Sequence, residues 1–264
     1  MAIGVIERVQ EAARYHELLR NLVVRDLKVR YQSSVLGFVW SLLNPLLMMT
    51  VFTVVFTVMM RNNQIQHFPV FILCALLPWN WFTSSTMGSI NSIVGNANLV
   101  KKVYFPRELL PISVVLSNGI NFLLALVVLF ALLFAFGIPL RPPAILLPAV
   151  ILIQACFLLG LALFLAALNV FFRDTEVIME VLILAWFFLT PIFYDIKMLF
   201  PAYERILYWV NPMASVISSY RLILLHGAWP APDFMLRTLG ISVIVLVVGY
   251  LFFTRLSPSF GEEV

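Results

Sequence analysis

Charge is scarce in this chain: 11% of its 264 residues are Asp, Glu, Lys or Arg, against about 25% in water-soluble domains. A water-soluble globular fold is thereby excluded. Cysteine occurs twice, as Cys74 and Cys156, both in apolar surroundings, and histidine three times, as His16, His67 and His226 on separate segments. These spacings support neither a disulfide framework nor a Cys/His metal centre. No glycine is followed by lysine, so the phosphate-cradling P-loop is missing and any ATP-driven activity must use an ATPase on another subunit. His-Glu-x-x-His, paired-Asp, Cys-His and Gly-x-Ser-x-Gly patterns are missing too, which argues against hydrolytic chemistry. The first 30 residues carry six Arg or Lys and four Asp or Glu. They do not read as a cleavable leader, and the amino terminus is expected in the cytoplasm.

What is present is apolar surface. Hydrophobic residues make up 62% of the chain and aromatic ones 14%, and the mean hydropathy is +1.00. Charge-free windows longer than the roughly 20 residues of a crossing predict an all-α polytopic membrane protein. Spans are predicted at Val35 to Met60, Phe68 to Ser89, Leu109 to Phe136 and Ala144 to Phe171. A fifth starts near Val177 and runs to about Tyr194, with Glu180 snorkelling about one turn inside its end. A sixth covers Leu236 to Phe253. Between the last two, Asn211-Pro212 divides an apolar stretch into helical halves, Met198 to Val210 and Met213 to Leu225, because proline interrupts a helix. These halves fit a re-entrant hairpin or a pair of surface helices on the outer leaflet. Six crossings put eleven Lys or Arg inside and six outside, in accord with cytoplasmic termini.

Three segments fall on the cytoplasmic side of this topology. Val5 to Leu22 alternates charged and apolar residues at helical spacing and reads as an amphipathic surface helix, docking on lipid or on protein. The longest inside loop, Gly95 to Glu108, interleaves Leu99, Val100, Val103, Tyr104 and Phe105 with Lys101 and Lys102. An apolar face there needs a partner or the membrane to cover it. The tight turn Phe171 to Glu176 holds Asp174, a candidate cap for the next helix.

Several motifs together resemble a known family. The run Arg25-Asp-Leu-Lys-Val-Arg-Tyr-Gln-Ser-Ser-Val-Leu-Gly-Phe-Val-Trp-Ser-Leu-Leu-Asn-Pro45 opens the first span. Val100-Lys-Lys-Val-Tyr-Phe-Pro-Arg-Glu-Leu-Leu-Pro111, Asn169-Val-Phe-Phe-Arg-Asp174, Thr190-Pro191 with Tyr194, and Asn211-Pro-Met213 follow. As a set they are similar to ABC transporter permeases that export polysaccharides, the O-antigen, capsule and teichoic-acid exporters. The resemblance implies a homodimeric permease in the bacterial cytoplasmic (inner) membrane, driven by two copies of a separate nucleotide-binding subunit. ATP and Mg would be used by that subunit, with no cofactor, metal or nucleic acid bound by this chain. The substrate implied is a lipid-linked or nascent polysaccharide.

The same resemblance divides the chain into an interface segment (1–34), a transmembrane domain (35–253) and a cytoplasmic tail (254–264). Within the domain, residues 92–108 would form the coupling loop and 195–228 the external gate hairpin. Coupling to the ATPase would fall on Asn96, Asn98, Leu99, Lys101, Lys102, Val103, Tyr104, Phe105 and Arg107, with Arg173 and Asp174 in the tight turn. The gate would use Asn211, Pro212, Met213 and Tyr220.

For the path, Trp79-Asn80-Trp81-Phe82 begins 11 residues after Phe68, about 16 Å into the second span. Tryptophan usually stays at the headgroups, so this depth is unusual. Ser85 and neighbouring hydroxyl residues continue the stretch, with Phe52, Phe56 and Trp186 as further candidates. Aromatic faces and hydroxyls would suit a sliding sugar chain; they also suit ordinary helix packing. Two other functions stay open at this stage: export of a small lipophilic compound, and a lipid-processing enzyme using Glu180 or the Arg173, Asp174 and Glu176 turn.

Overall fold

Backbone groups in a bilayer have no water to bond, so long apolar runs must satisfy themselves as helices. The computed structural model describes residues 15–31, 39–59, 65–196 and 201–264, and no strand occurs among them. Helix α1 is His16–Tyr31, and α2 is Val39–Thr53, continued by a π-helical turn, Val54–Met59. Next come α3 (Phe68–Ile90), short α4 (Ala97–Lys102), α5 (Leu109–Ala135) and α6 (Leu147–Phe171). Then follow α7 (Thr175–Leu189), α8 (Glu204–Val210), α9 (Pro212–Leu224), α10 (Pro232–Leu256) and the single turn α11 (Phe260–Glu263).

Punctuation by proline and glycine fixes many of the ends. Helices α3, α6, α9 and α10 each carry proline in their first two positions, where its missing N–H is no loss. Helix α5 closes on Gly137 at φ 69°, and the Ile138 N–H donates back to the Leu133 carbonyl at 2.9 Å. This left-handed stop favours glycine because a Cβ would clash there.

Four helices among the described residues are long and apolar enough to cross a membrane: Phe68–Ile90, Leu109–Ala135, Pro142–Phe171 and Pro232–Glu263. Three of them coincide within a turn with predicted spans. The predicted sixth span is longer than expected, starting a turn earlier at Pro232. The predicted fifth is shorter: α7 has 15 residues and ends at Leu189. Its stop is local, since Thr190 precedes Pro191 and takes an extended conformation at φ −98° and ψ 135°. Part of the predicted first span, residues 35–38 and Met60, lies outside the described residues, as do residues 1–14 and 32–34 of the interface segment and 197–200 of the hairpin.

Helix α3 is the most buried of the four long helices and α10 the least. The main core packs around α3, with Phe122 and Leu129 of α5, Phe157 of α6 and Ile217 of α9. A second cluster lies at the α4 end of the bundle, where Leu22, Val100, Phe105, Ala166, Phe253 and Phe260 meet. A polar tie runs through the main core. Gln154 of α6 donates to the Pro78 carbonyl of α3 at 2.8 Å and accepts from the Tyr220 hydroxyl of α9 at 3.1 Å.

Helices α6 and α10 touch backbone to backbone at Gly160 and Gly249. A Cβ on Gly160 would lie 2.5 Å from the backbone of Val245 and Leu246, and one on Gly249 would overlap the Gly160 carbonyl. Small residues at such crossings let van der Waals packing hold membrane helices together. Gly249→Leu is therefore expected to force the pair apart and cost more than about 3 kcal/mol. Gly240→Ala, with no atom within 4 Å of its new Cβ, should change little. Thermal unfolding of both variants in detergent checks the difference.

Candidate functional site

The α4 end is built on the cluster beneath it. Val100 and Phe105 point inward, at 3% and 6% exposure, while Val103 and Tyr104 stand out at 50% and 79%. The expectation of one exposed apolar face from Leu99 to Phe105 is corrected accordingly. A six-residue helix followed by extended Val103, at φ −125° and ψ 133°, cannot turn all five side chains the same way. Lys101, Lys102 and Asn98 are exposed with the outer pair, and Leu99 is half-buried.

Hydrogen bonds fix this loop from two sides. Asn96 donates from Nδ2 to the Ser92 carbonyl at 2.8 Å, and its Oδ1 accepts from Arg25 Nη1 of α1 at 3.0 Å. Arg25 also pairs with Asp26 at 3.0 Å, and Ser113 of α5 donates to Asp26 at 3.3 Å. Arg107 faces the other way, donating to the Ser257 carbonyl after α10. There Phe260 is fully buried, with ring centroids 5.2 Å from Phe253 and 6.2 Å from Phe171. Phe260, in the segment read as the tail (254–264), is thus part of the loop's foundation.

Arg173 and Asp174 are exposed in the turn just beyond Phe171. Asp174 occupies the cap position of α7, yet its side chain makes no capping hydrogen bond. This corrects the expected cap. The turn is closed instead by the Thr175 hydroxyl, which donates to the Phe172 carbonyl at 2.6 Å.

Most of the predicted path residues come together. Phe52 lies 6.3 Å from Phe56 and 6.1 Å from Phe187 between ring centroids. Phe187 lies 5.6 Å from Trp79, Trp79 is 5.0 Å from Phe82, and Phe82 is 4.9 Å from Trp186. These rings form one aromatic seam joining α2, α3 and α7. Trp81 does not join it. Its indole N–H donates to the Val115 carbonyl at 3.1 Å, and its ring stacks 4.9 Å from Phe122, so it packs α3 against α5. Asn80 is half-buried beside the seam residues in sequence, and Ser85 is fully buried, its hydroxyl among those without a protein partner.

The residues predicted for the gate form a joint. Asn211 Oδ1 accepts from Trp186 Nε1 at 2.8 Å and from the Ala214 N–H at 3.2 Å, capping α9. Its Nδ2 donates to the Thr190 hydroxyl at 2.9 Å. Pro212 and Met213 start α9 and are buried, and Tyr220 is buried two turns later. The Trp186, Thr190-Pro191 and Asn211-Pro212 motifs are therefore one connected structure.

Comparison with known proteins agrees with this arrangement. The ABC-2 type transporter profile matches residues 17–225. The chain is 39% identical to the O-antigen export system permease protein RfbA of Myxococcus xanthus, over 98% of this chain and 100% of that one. It is 35% identical to the O-antigen export system permease protein RfbA of Klebsiella pneumoniae, over 93% and 94%. It is 23% identical to the polysialic acid transport protein KpsM of Escherichia coli, over 78% and 80%. This chain belongs to the ABC-2 type transporter family.

Two residues of this ABC-2 type subunit escaped sequence reasoning. Gln154 was visible as a polar residue in the middle of an apolar span, a position that usually has a specific partner. Arg221 counted only as an outside charge. It is buried, donating to the Phe71 carbonyl at 3.2 Å and to the carbonyls of Pro191 and Ile192, with its guanidinium 3.4 Å above the Phe71 ring. Only the three-dimensional placement of those carbonyls could have revealed it.

Proposed function

We propose that this chain is the permease subunit of an ATP-driven exporter that moves a lipid-linked or nascent polysaccharide across the bacterial inner membrane. Two permeases and two copies of a separate ATPase would make the working unit, with ATP and Mg used by the ATPase. In this reading the α4 end is cytoplasmic and the α8–α9 hairpin external. Helices α2 and α7 complete six crossings in the assembled dimer. Lys101, Lys102, Val103 and Tyr104 meet the ATPase, with Asn98, Arg173 and Asp174 flanking them. The aromatic seam of Phe52, Phe56, Trp79, Phe82 and Trp186 lines the path, because ring faces can pack on the C–H faces of sugars without gripping any one unit. Asn211 hinges the gate.

The observation that carries this reading is the near full-length similarity to O-antigen export permeases, 39% over 98% of the chain. Exposed Val103 and Tyr104 on a loop anchored from beneath suit a docking role. The test is to co-express the chain with a candidate ATPase, measure the stoichiometry of the purified complex, and compare ATP hydrolysis with and without lipid-linked glycan. A two-plus-two complex whose hydrolysis responds to glycan is expected. A folded permease that binds no ATPase would overturn the reading.

A further inference from the structure

A groove of about 430 Å³ opens between α1, α5 and α6, away from the aromatic seam. Its walls include Leu116 and Ile120 of α5 and Ile151 and Leu159 of α6. From Ile151 to Leu159 it follows the helix axis for about 12 Å, the direction in which acyl chains lie. Gly119 opens its floor. A Cβ there would sit 3.2 Å from the Trp81 ring, so the bare glycine leaves the indole edge within the groove. The α1 side differs chemically. His16 and Arg20 border the groove there beside Leu19 and Val23, whereas Glu17 does not border it. Arg20 is exposed and has no ion-pair partner among the described residues.

We propose that this groove is a binding site for an anionic glycerophospholipid. One acyl chain lies along α5 and α6 against Trp81, and the phosphate sits on the Arg20 guanidinium with His16 as a second donor. An apolar slot with an exposed arginine on its α1 edge, one without an ion-pair partner among the described residues, matches a molecule with a long apolar tail and an anionic head. The substrate's lipid is a poorer occupant, because Trp81 faces α5 while Trp79 and Phe82 face α7, on the seam. Bound there, the lipid would tie α1 to the bundle, and through Arg25 and Asn96 would help hold the loop bearing α4.

The test uses the full chain in phosphatidylcholine nanodiscs containing either brominated phosphatidylglycerol or brominated phosphatidylcholine. Tryptophan quenching is compared between wild type and Trp81→Phe, which isolates the Trp81 contribution. Quenching of Trp81 by phosphatidylglycerol is expected, with Arg20→Gln requiring about fivefold more of that lipid for the same effect. Arg20 is exposed, so its replacement leaves the fold intact. Mass spectrometry of lipids retained through purification gives a second measurement that does not depend on how the Trp81 variant folds. Phosphatidylglycerol should be retained by wild type and depleted in Arg20→Gln. Equal quenching by both lipids, indifference to Arg20→Gln, or retention of a polyprenyl lipid in place of phosphatidylglycerol would each overturn the proposal.

Discussion

Val103→Asp is expected to leave the permease folded while abolishing export and the response of ATP hydrolysis to glycan. The side chain is half exposed and lies outside the cluster that supports α4, so a carboxylate there remains hydrated in the isolated subunit. Docking on an ATPase would bury it without a partner. An unpaired buried charge costs about 3–5 kcal/mol, which weakens that contact more than about 100-fold. Val100→Asp makes a useful contrast. Val100 is 3% exposed within the cluster, so the same charge attacks the fold itself. Protein yield and thermal stability should fall for Val100→Asp and hold for Val103→Asp. Unimpaired export by a folded Val103→Asp variant would remove the coupling role from this loop.

That contrast also shows where the sequence stops being sufficient. Spans α3, α5 and α6 were legible because each is a charge-free run ended by charge, proline or glycine, all local signals. The end of α7 was written in Thr190-Pro191, but a window defined only by absence of charge ran past it. The start of α10 was missed for the opposite reason, since Asp233 is charged yet lies within the helix. On the α4 loop, the alternation of apolar and basic residues indicated a two-sided segment. It could not say that Val100 and Phe105 would face Phe260, because that partner arrives from the far end of the chain. Trp79 and Trp81 carried identical signals in sequence. Their different neighbours follow from facing opposite sides of α3, one toward α7 and the other toward α5.

Arg221→Met should have the second large effect, releasing the hairpin from the rest of the bundle. Pro191 and Ile192 lie in the non-helical stretch after α7, so their carbonyls lack helical donors and must find others where water is scarce. The guanidinium fork reaches both and the Phe71 carbonyl as well, spanning three segments with one planar group. Hydrogen bonds from a charged donor are worth about 1.5–3 kcal/mol each. Methionine keeps much of the volume but donates nothing, so a loss of about 3–5 kcal/mol is expected after partial relaxation. Lysine should not rescue it, because a single ammonium cannot reproduce the fork or the stacking on Phe71. Tyr220→Phe, one position earlier, removes only the bond to Gln154 and should cost about 1 kcal/mol. Hydrogen exchange is the discriminating measurement. Faster exchange in 190–196 and 212–224 with α3 and α5 still protected would mark Arg221 as the hairpin's anchor, and uniform protection in Arg221→Met would show that the Asn211 joint suffices. If the hairpin is the external gate, the same variant should also leak small solutes from proteoliposomes without ATP.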